Sequence, residues 1–199
     1  MSARLLFTSL LIAILSAAPS GAQGLKPPPK PAQVDPAQIR ARALDDLLAR
    51  LREAPDPEAA ASIRAIIEKI WAHSTSPTAN LLMARAEVLL KADKGPAAEA
   101  LLDRIVLLYP DWTLAWRRRA QSSLLQGDSE GAMLDLDRAL NVDPRNFLVM
   151  TDLANLMRAA GHDQPALELL RRARGFDPQN ESLRRETDQL QRQVEGQRI

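Results

Sequence analysis

The chain has 199 residues, 46% hydrophobic but only 4% aromatic, and Leu and Ala fill most apolar positions, a composition that favours helix over strand. Its 26 basic and 25 acidic residues give a formal charge of +1, a balance that speaks against nucleic acid or an anionic membrane surface as partner. It has no cysteine, which excludes disulfides, thiolate metal sites, Cys nucleophiles and lipidation at a Cys.

Residues 1–22 read as a signal peptide: Arg4 supplies a positive start, Leu5 to Ala18 is apolar apart from Thr8, Ser9 and Ser16, and Ser20-Gly21-Ala22 places small residues before Gln23. The apolar run is shorter than the roughly 20 residues of a spanning helix. The expected destination is across the inner membrane, in the periplasm; the alternative is an uncleaved membrane anchor. Residues 23–35 form a Pro-rich linker, GLKPPPKPAQVDP from Gly24 to Pro36, which reads as an extended tether.

From 36 to 74 the pattern is that of a degenerate helical hairpin. Asp35-Pro36 is a helix start, and Leu44, Leu47, Leu48 and Leu51 share one face. After Pro55-Asp56-Pro57, the residues Ile63, Ile66, Ile67, Ile70 and Trp71 form a second apolar stripe. The hairpin is expected to cap the array that follows, shielding its first regular unit.

Residues 77–178 hold three units in register, at 79–112, 113–146 and 147–180, found by aligning Pro110, Pro144 and Pro178. Leu82, Trp116 and Met150 then share a column, as do Ala86, Ala120 and Ala154. The turn column holds Asp93, Gly127 and Gly161, and the second helices align Ala98, Ala132 and Ala166 with Leu102, Leu136 and Leu170. Small residues fall where two helices must approach to about 8–10 Å. Asp143-Pro144 and Asp177-Pro178 are expected to end one helix and start the next. Residues 179–199 read as a capping helix with few apolar positions, Leu183, Leu190 and Val194, and a frayed tail.

This 34-residue pattern resembles the tetratricopeptide repeat (TPR): a bulky residue, a small one four later, a Gly-Asp turn, then Ala, a bulky residue, Ala and Pro. The middle unit matches best, through Trp116, Ala120, Gly127, Asp128, Ala132, Ala139 and Pro144. Arg85 and Arg119 depart from it, standing where the family usually has Leu. With its signal peptide the chain is also similar to short exported proteobacterial TPR proteins of unknown role. The resemblance implies an all-α fold, a right-handed α-solenoid of antiparallel helical hairpins with a C-terminal cap helix.

The residues offer no catalytic constellation. His73 and His162 lie far apart without ligand partners at helical spacing, and no phosphate loop, nucleophile elbow or metal motif occurs. No enzymatic activity, no metal and no cofactor are therefore expected. The resemblance instead implies a groove lined by the first helix of each unit, holding a peptide or helix of a protein partner. Residue by residue this gives Asn80, Met83, Glu87 and Leu90, then Leu114, Arg117, Gln121 and Leu124, then Leu148, Thr151, Asn155 and Arg158. The Lys and Asn clamp with which TPR co-chaperones grip an acidic tail is missing, since Met83, Glu87, Arg118, Leu148 and Asp152 stand at those positions. The shared period of Arg85 with Arg119, and of Asp103 with Asp137, suggests structural Arg–Asp ion pairs at the inter-repeat seam; an anion site at the same Arg residues is the competing reading. The functional expectation is an adaptor or scaffold of an envelope complex. The alternative is a structural TPR module that self-associates without a peptide ligand.

Overall fold

The structure is a computed structural model that describes residues 35–196. The segment expected to be a signal peptide, the Pro-rich stretch up to Asp35 and the last three residues lie outside them. The described residues form nine helices and no strand: α1 (Pro36–Arg52), α2 (Pro57–Ala72), α3 (Pro77–Lys91), α4 (Gly95–Leu108), α5 (Thr113–Leu125), α6 (Ser129–Val142), α7 (Phe147–Ala159), α8 (Asp163–Phe176) and α9 (Glu181–Gly196). None is long and apolar enough to cross a membrane.

The helix boundaries follow from local chemistry. Asp56, Ser76, Asp128, Asn146 and Asn180 each accept a bond from a backbone N–H of the first turn, at 2.8–3.3 Å, which satisfies one of the donors a helix start leaves open. Asp143 and Asp177 end α6 and α8, but Asn146 and Asn180, not the Asp-Pro pairs, begin the next helices. The hairpin turns share one solution. Asp93, Gly127 and Gly161 have φ of 55°, 83° and 82°, and the residue after each donates back to the carbonyl five before it, the αL helix stop that glycine adopts without penalty.

Helices α3 to α8 make three antiparallel hairpins stacked in series, and α9 packs on α8 as the closing helix, burying Leu183, Thr187, Leu190 and Val194. The small columns lie at the crossings: Ala86, Ala120, Ala154, Ala98, Ala132 and Ala166 are all fully or almost fully buried. Two apolar cores result. One joins α3, α4 and the start of α5 around Met83, Leu102, Ile105 and Trp112. The other runs through the later hairpins around Leu136, Phe147, Met150 and Leu170.

The α1/α2 hairpin corrects an expectation. It does not stack on α3 as an end cap. It lies across the later repeats, with α1 against α8 and α2 against α5, and its Leu44, Leu47, Leu48, Leu51, Ile67 and Trp71 join the second core. Trp71 meets Phe147 edge-on at 5.0 Å between ring centres and donates from Nε1 to Asp143 at 3.0 Å. Arg64 grips Asp177, its Nη2 donating at 3.0 Å, and Gln179 donates to the Ala54 carbonyl at 3.1 Å. Arg52 lies 4.4 Å over the Phe176 ring, and Arg145 bridges Asp143 and Asp45. The two Asp-Pro turns are thus the anchor points of the hairpin.

The sequence supplies the reason. Where α4 offers Leu102, Asp103 and Val106 to the next repeat, the matching positions of α2 are Glu68, Lys69 and Ala72. That face of α2 is charged and small, and Lys69 would oppose Arg85. The apolar stripe of α2 points elsewhere, and Ile66, expected on it, is half exposed.

Candidate functional site

The first helices of the second and third hairpins, α5 and α7, lie side by side and present the residues expected to line a groove. The hairpin covers one half of that surface. Leu114, Arg117 and Leu148, near the starts of α5 and α7, face Glu68, Trp71 and Ala72 of α2 across a small cavity. The other half stays open as a depression of about 350 Å³ between α5, α6 and α7. Its floor is apolar, made by Ala120, Leu124, Leu136, Leu156 and Ala159, and Gln121, Asp152 and Asn155 stand at its rim. Leu124 is 39% exposed there.

The charges of the groove are internally matched. Arg117 donates from Nε to Asp152 at 2.5 Å, and Arg118 pairs with Glu87 at 2.8 Å and donates to Gln121 Oε1 at 2.8 Å. Arg158 donates to Glu186 of α9 at 3.1 Å. Each cation of the wall therefore already has a carboxylate partner, and the surface left for a ligand is the apolar floor with its two amides.

Other expected groove residues are used up by the fold. Met83 is 4% exposed and belongs to the first core, which corrects its assignment to the groove. Asn80 closes the turn before α3, accepting from Ser74 N at 2.8 Å and donating to Ser74 O at 2.9 Å. Thr151 donates to the Phe147 carbonyl, and Leu90 packs on the first core. Gln121, Leu124 and Asn155 are the expected residues that share the open depression, while Leu136, Leu156 and Ala159 complete it without having been anticipated.

The expected ion pairs come out differently too. Arg119 reaches Asp103 at 3.4 Å, as the period suggested, but its main partner is Asp135, bound through Nε at 2.8 Å and through Nη2. Asp135 is only 3% exposed, and its hydrogen bond with Arg119 pushes the guanidinium pKa up, burial opposing this. The guanidinium also lies 4.9 Å from the Trp116 ring. Among the described residues Arg85 makes no ion pair and Asp137 accepts only from Asn141, at 3.1 Å. The cause is visible in the columns. The positions sixteen before and after Arg85 are Lys69 and Leu101, and the residue sixteen after Asp137 is Leu153. His73 and His162 are exposed, and no cluster of possible metal ligands occurs among the described residues.

No family model matches the chain. A TPR repeat-containing protein of Rhizobium etli is 32% identical over 155 residues, covering 78% of this chain and 76% of the relative. The chain belongs to the TPR repeat proteins. Solved TPR domains share its fold. The first TPR domain of Spaghetti (RPAP3), bound to the HSP90 peptide SRMEEVD, superposes with a TM-score of 0.55 at 16% identity, covering 61% of this chain and 97% of that one. The TPR2B domain of yeast Sti1, in complex with an Hsp70 peptide, gives 0.53 at 23% identity, covering 61% and 99%. The helical-repeat solenoid is therefore the family's, while the hairpin laid over the groove narrows the surface this TPR array leaves open.

Proposed function

We propose that this TPR protein is a non-enzymatic binding module that holds a segment of a partner protein in the open half of its groove. The observation that carries the reading is the depression between α5 and α7, with an exposed Leu124 over an apolar floor and the amides of Gln121 and Asn155 at its edge. An extended segment or a helix inserts apolar side chains there while the amides bond its backbone. The two solved neighbours named above carry chaperone peptides. Here Arg117 and Arg118 are already paired with Asp152 and Glu87, which favours a neutral, apolar segment over an acidic tail. The export signal read in residues 1–22 supports a role as adaptor or scaffold in the cell envelope.

A photo-crosslinking amino acid placed at position 124 tests the site in the native host. The expected result is one discrete adduct, absent when the probe sits at position 134 on the outer face of α6 and lost on Asn155→Ala. Equal labelling from both positions, or none from 124, sinks the groove reading. An intact mass beginning near Gln23 in an osmotic-shock fraction is the expected sign of export.

A further inference from the structure

The N-terminal edge of the array is a second surface. In α7 the positions that receive the preceding repeat are Val149, Leu153 and Leu156, and in α5 they are Ala115, Arg119 and Ser122; four of these six are buried, and Leu156 and Arg119 are partly buried. The same columns of α3 hold Leu81, Arg85 and Val88. Here they are bare: Leu81 is 70% and Val88 64% exposed, and Arg85 between them is exposed with no carboxylate partner among the described residues. The edge is therefore built as a repeat seam and lacks its incoming helix, because α1 and α2 pack elsewhere.

The chain itself shows what such a helix looks like. On α4 the face that meets α5 carries Leu102 and Val106 with Asp103 between them, and Asp103 reaches Arg119. On α6 the face toward α7 carries Met133, Leu136 and Leu140 with Asp137. Both faces repeat an apolar residue at helical spacing with an acid beside it. Arg85 is the counterpart of Arg119, so the α3 edge asks for that acid.

We propose that the α3 edge docks an amphipathic helix of a partner protein, one whose apolar stripe covers Leu81 and Val88 and whose Asp or Glu pairs with Arg85. Charge and composition speak against other occupants. The 34 residues that precede Asp35 contain no acidic residue, and their charges are Arg4, Lys26 and Lys30. A second copy paired across a two-fold axis sets Arg85 and Lys91 against their own like charges, with no acid on that face. A copy added head to tail would have to offer α9, which exposes no large apolar side chain to cover Leu81 and Val88, and whose exposed acids Glu181 and Glu195 already pair with Arg185 and Arg171.

The test uses the full chain and a defined probe: a fluorescein-labelled peptide of sequence 128–143 carrying Leu134→Glu and Arg138→Lys, held helical by a lactam between those two side chains, which lie off its contact face. Fluorescence anisotropy is expected to show saturable binding. Leu81→Glu and Arg85→Glu should each weaken it at least tenfold, and an Asp137→Lys peptide should regain binding to the Arg85→Glu protein. Leu124→Glu, in the groove, should leave it unchanged. All three protein positions are exposed, so unchanged circular dichroism melting checks that the variants fold. Absence of saturation overturns the proposal, as does binding lost through Leu124→Glu but kept in Leu81→Glu. A concentration-dependent mass in light scattering that vanishes in Leu81→Glu also overturns it, in favour of a second copy.

Discussion

Arg119 is the side chain whose removal should report most directly on how the repeats are joined. It ties the two helices of its own hairpin together through Asp135 and reaches across the seam to Asp103 of the preceding one. Asp135 is 3% exposed, so Arg119→Leu leaves a buried carboxylate without its cation. Breaking such a pair costs about 3–5 kcal/mol. The lower end applies, because the Arg119 side chain is itself 27% exposed, which lets water reach the carboxylate. The Asp103 contact is at the surface and adds no more than about 0.5 kcal/mol. With a urea m-value of about 2 kcal/mol/M, a loss of about 3 kcal/mol moves the midpoint down by about 1.5 M. The double variant Arg119→Leu, Asp135→Leu should behave otherwise. The third hairpin already carries that pair at the same columns, Leu153 and Leu169, both buried. Replacing both partners by packed apolar side chains is commonly neutral or stabilising, so the double variant is expected within about 1 kcal/mol of the parent or above it. Urea titrations followed by circular dichroism decide the matter. If the single variant melts like the parent, or the double one falls as far as the single, the account of the seam is wrong.

Three further perturbations follow from local geometry. Ser122 is 1% exposed and its Oγ has no hydrogen-bond partner among the described residues; Ser122→Ala removes an unsatisfied buried group and should raise the unfolding free energy by about 1 kcal/mol in the same titration. Asp93 holds φ at 55° where its counterparts are glycines, so Asp93→Gly is expected to gain about 0.5–1 kcal/mol and Gly161→Ala to lose about 1 kcal/mol, read as opposite shifts in melting temperature. Trp71→Ala removes the buried ring that meets Phe147 and the donor to Asp143; a loss of about 3–5 kcal/mol is expected, with amide exchange accelerating first in α1 and α2, and uniform protection there would contradict the role given to Trp71.

Much of the array can be read without coordinates, because each hairpin repeats the same packing problem. Ala86, Ala120 and Ala154 had to be small to admit the neighbouring helix, and Gly127 and Gly161 had to permit a positive φ. Such demands recur at a fixed period and leave columns. The Arg119–Asp103 pair was legible for the same reason. Asp135 was not, because a carboxylate on an amphipathic helix reads as solvated, and its column mates Leu101 and Leu169 give no hint of a buried acid. Among the expected groove residues, Gln121, Leu124 and Asn155 share the open depression, whereas Met83 is absorbed into the first core with Leu102, Ile105 and Val106 of α4.

The α1/α2 hairpin marks the boundary between the two kinds of knowledge. Its helices, caps and apolar stripes follow from local rules: Asp35 and Asp56 cap the helices they precede, and Leu44, Leu48, Ile67 and Trp71 fall at helical spacing. Its placement depends on partners a hundred residues away: Arg64 on Asp177, Arg145 on Asp45, Gln179 on the Ala54 carbonyl. No period connects those pairs, and only the tertiary structure decided that the hairpin crosses the groove and leaves the α3 edge bare. One sign stood in the sequence, Lys69 in the column of Asp103 and Asp137. A like charge opposite Arg85 disfavours stacking, but which other surface the apolar stripe would find was set by the shape of the folded array.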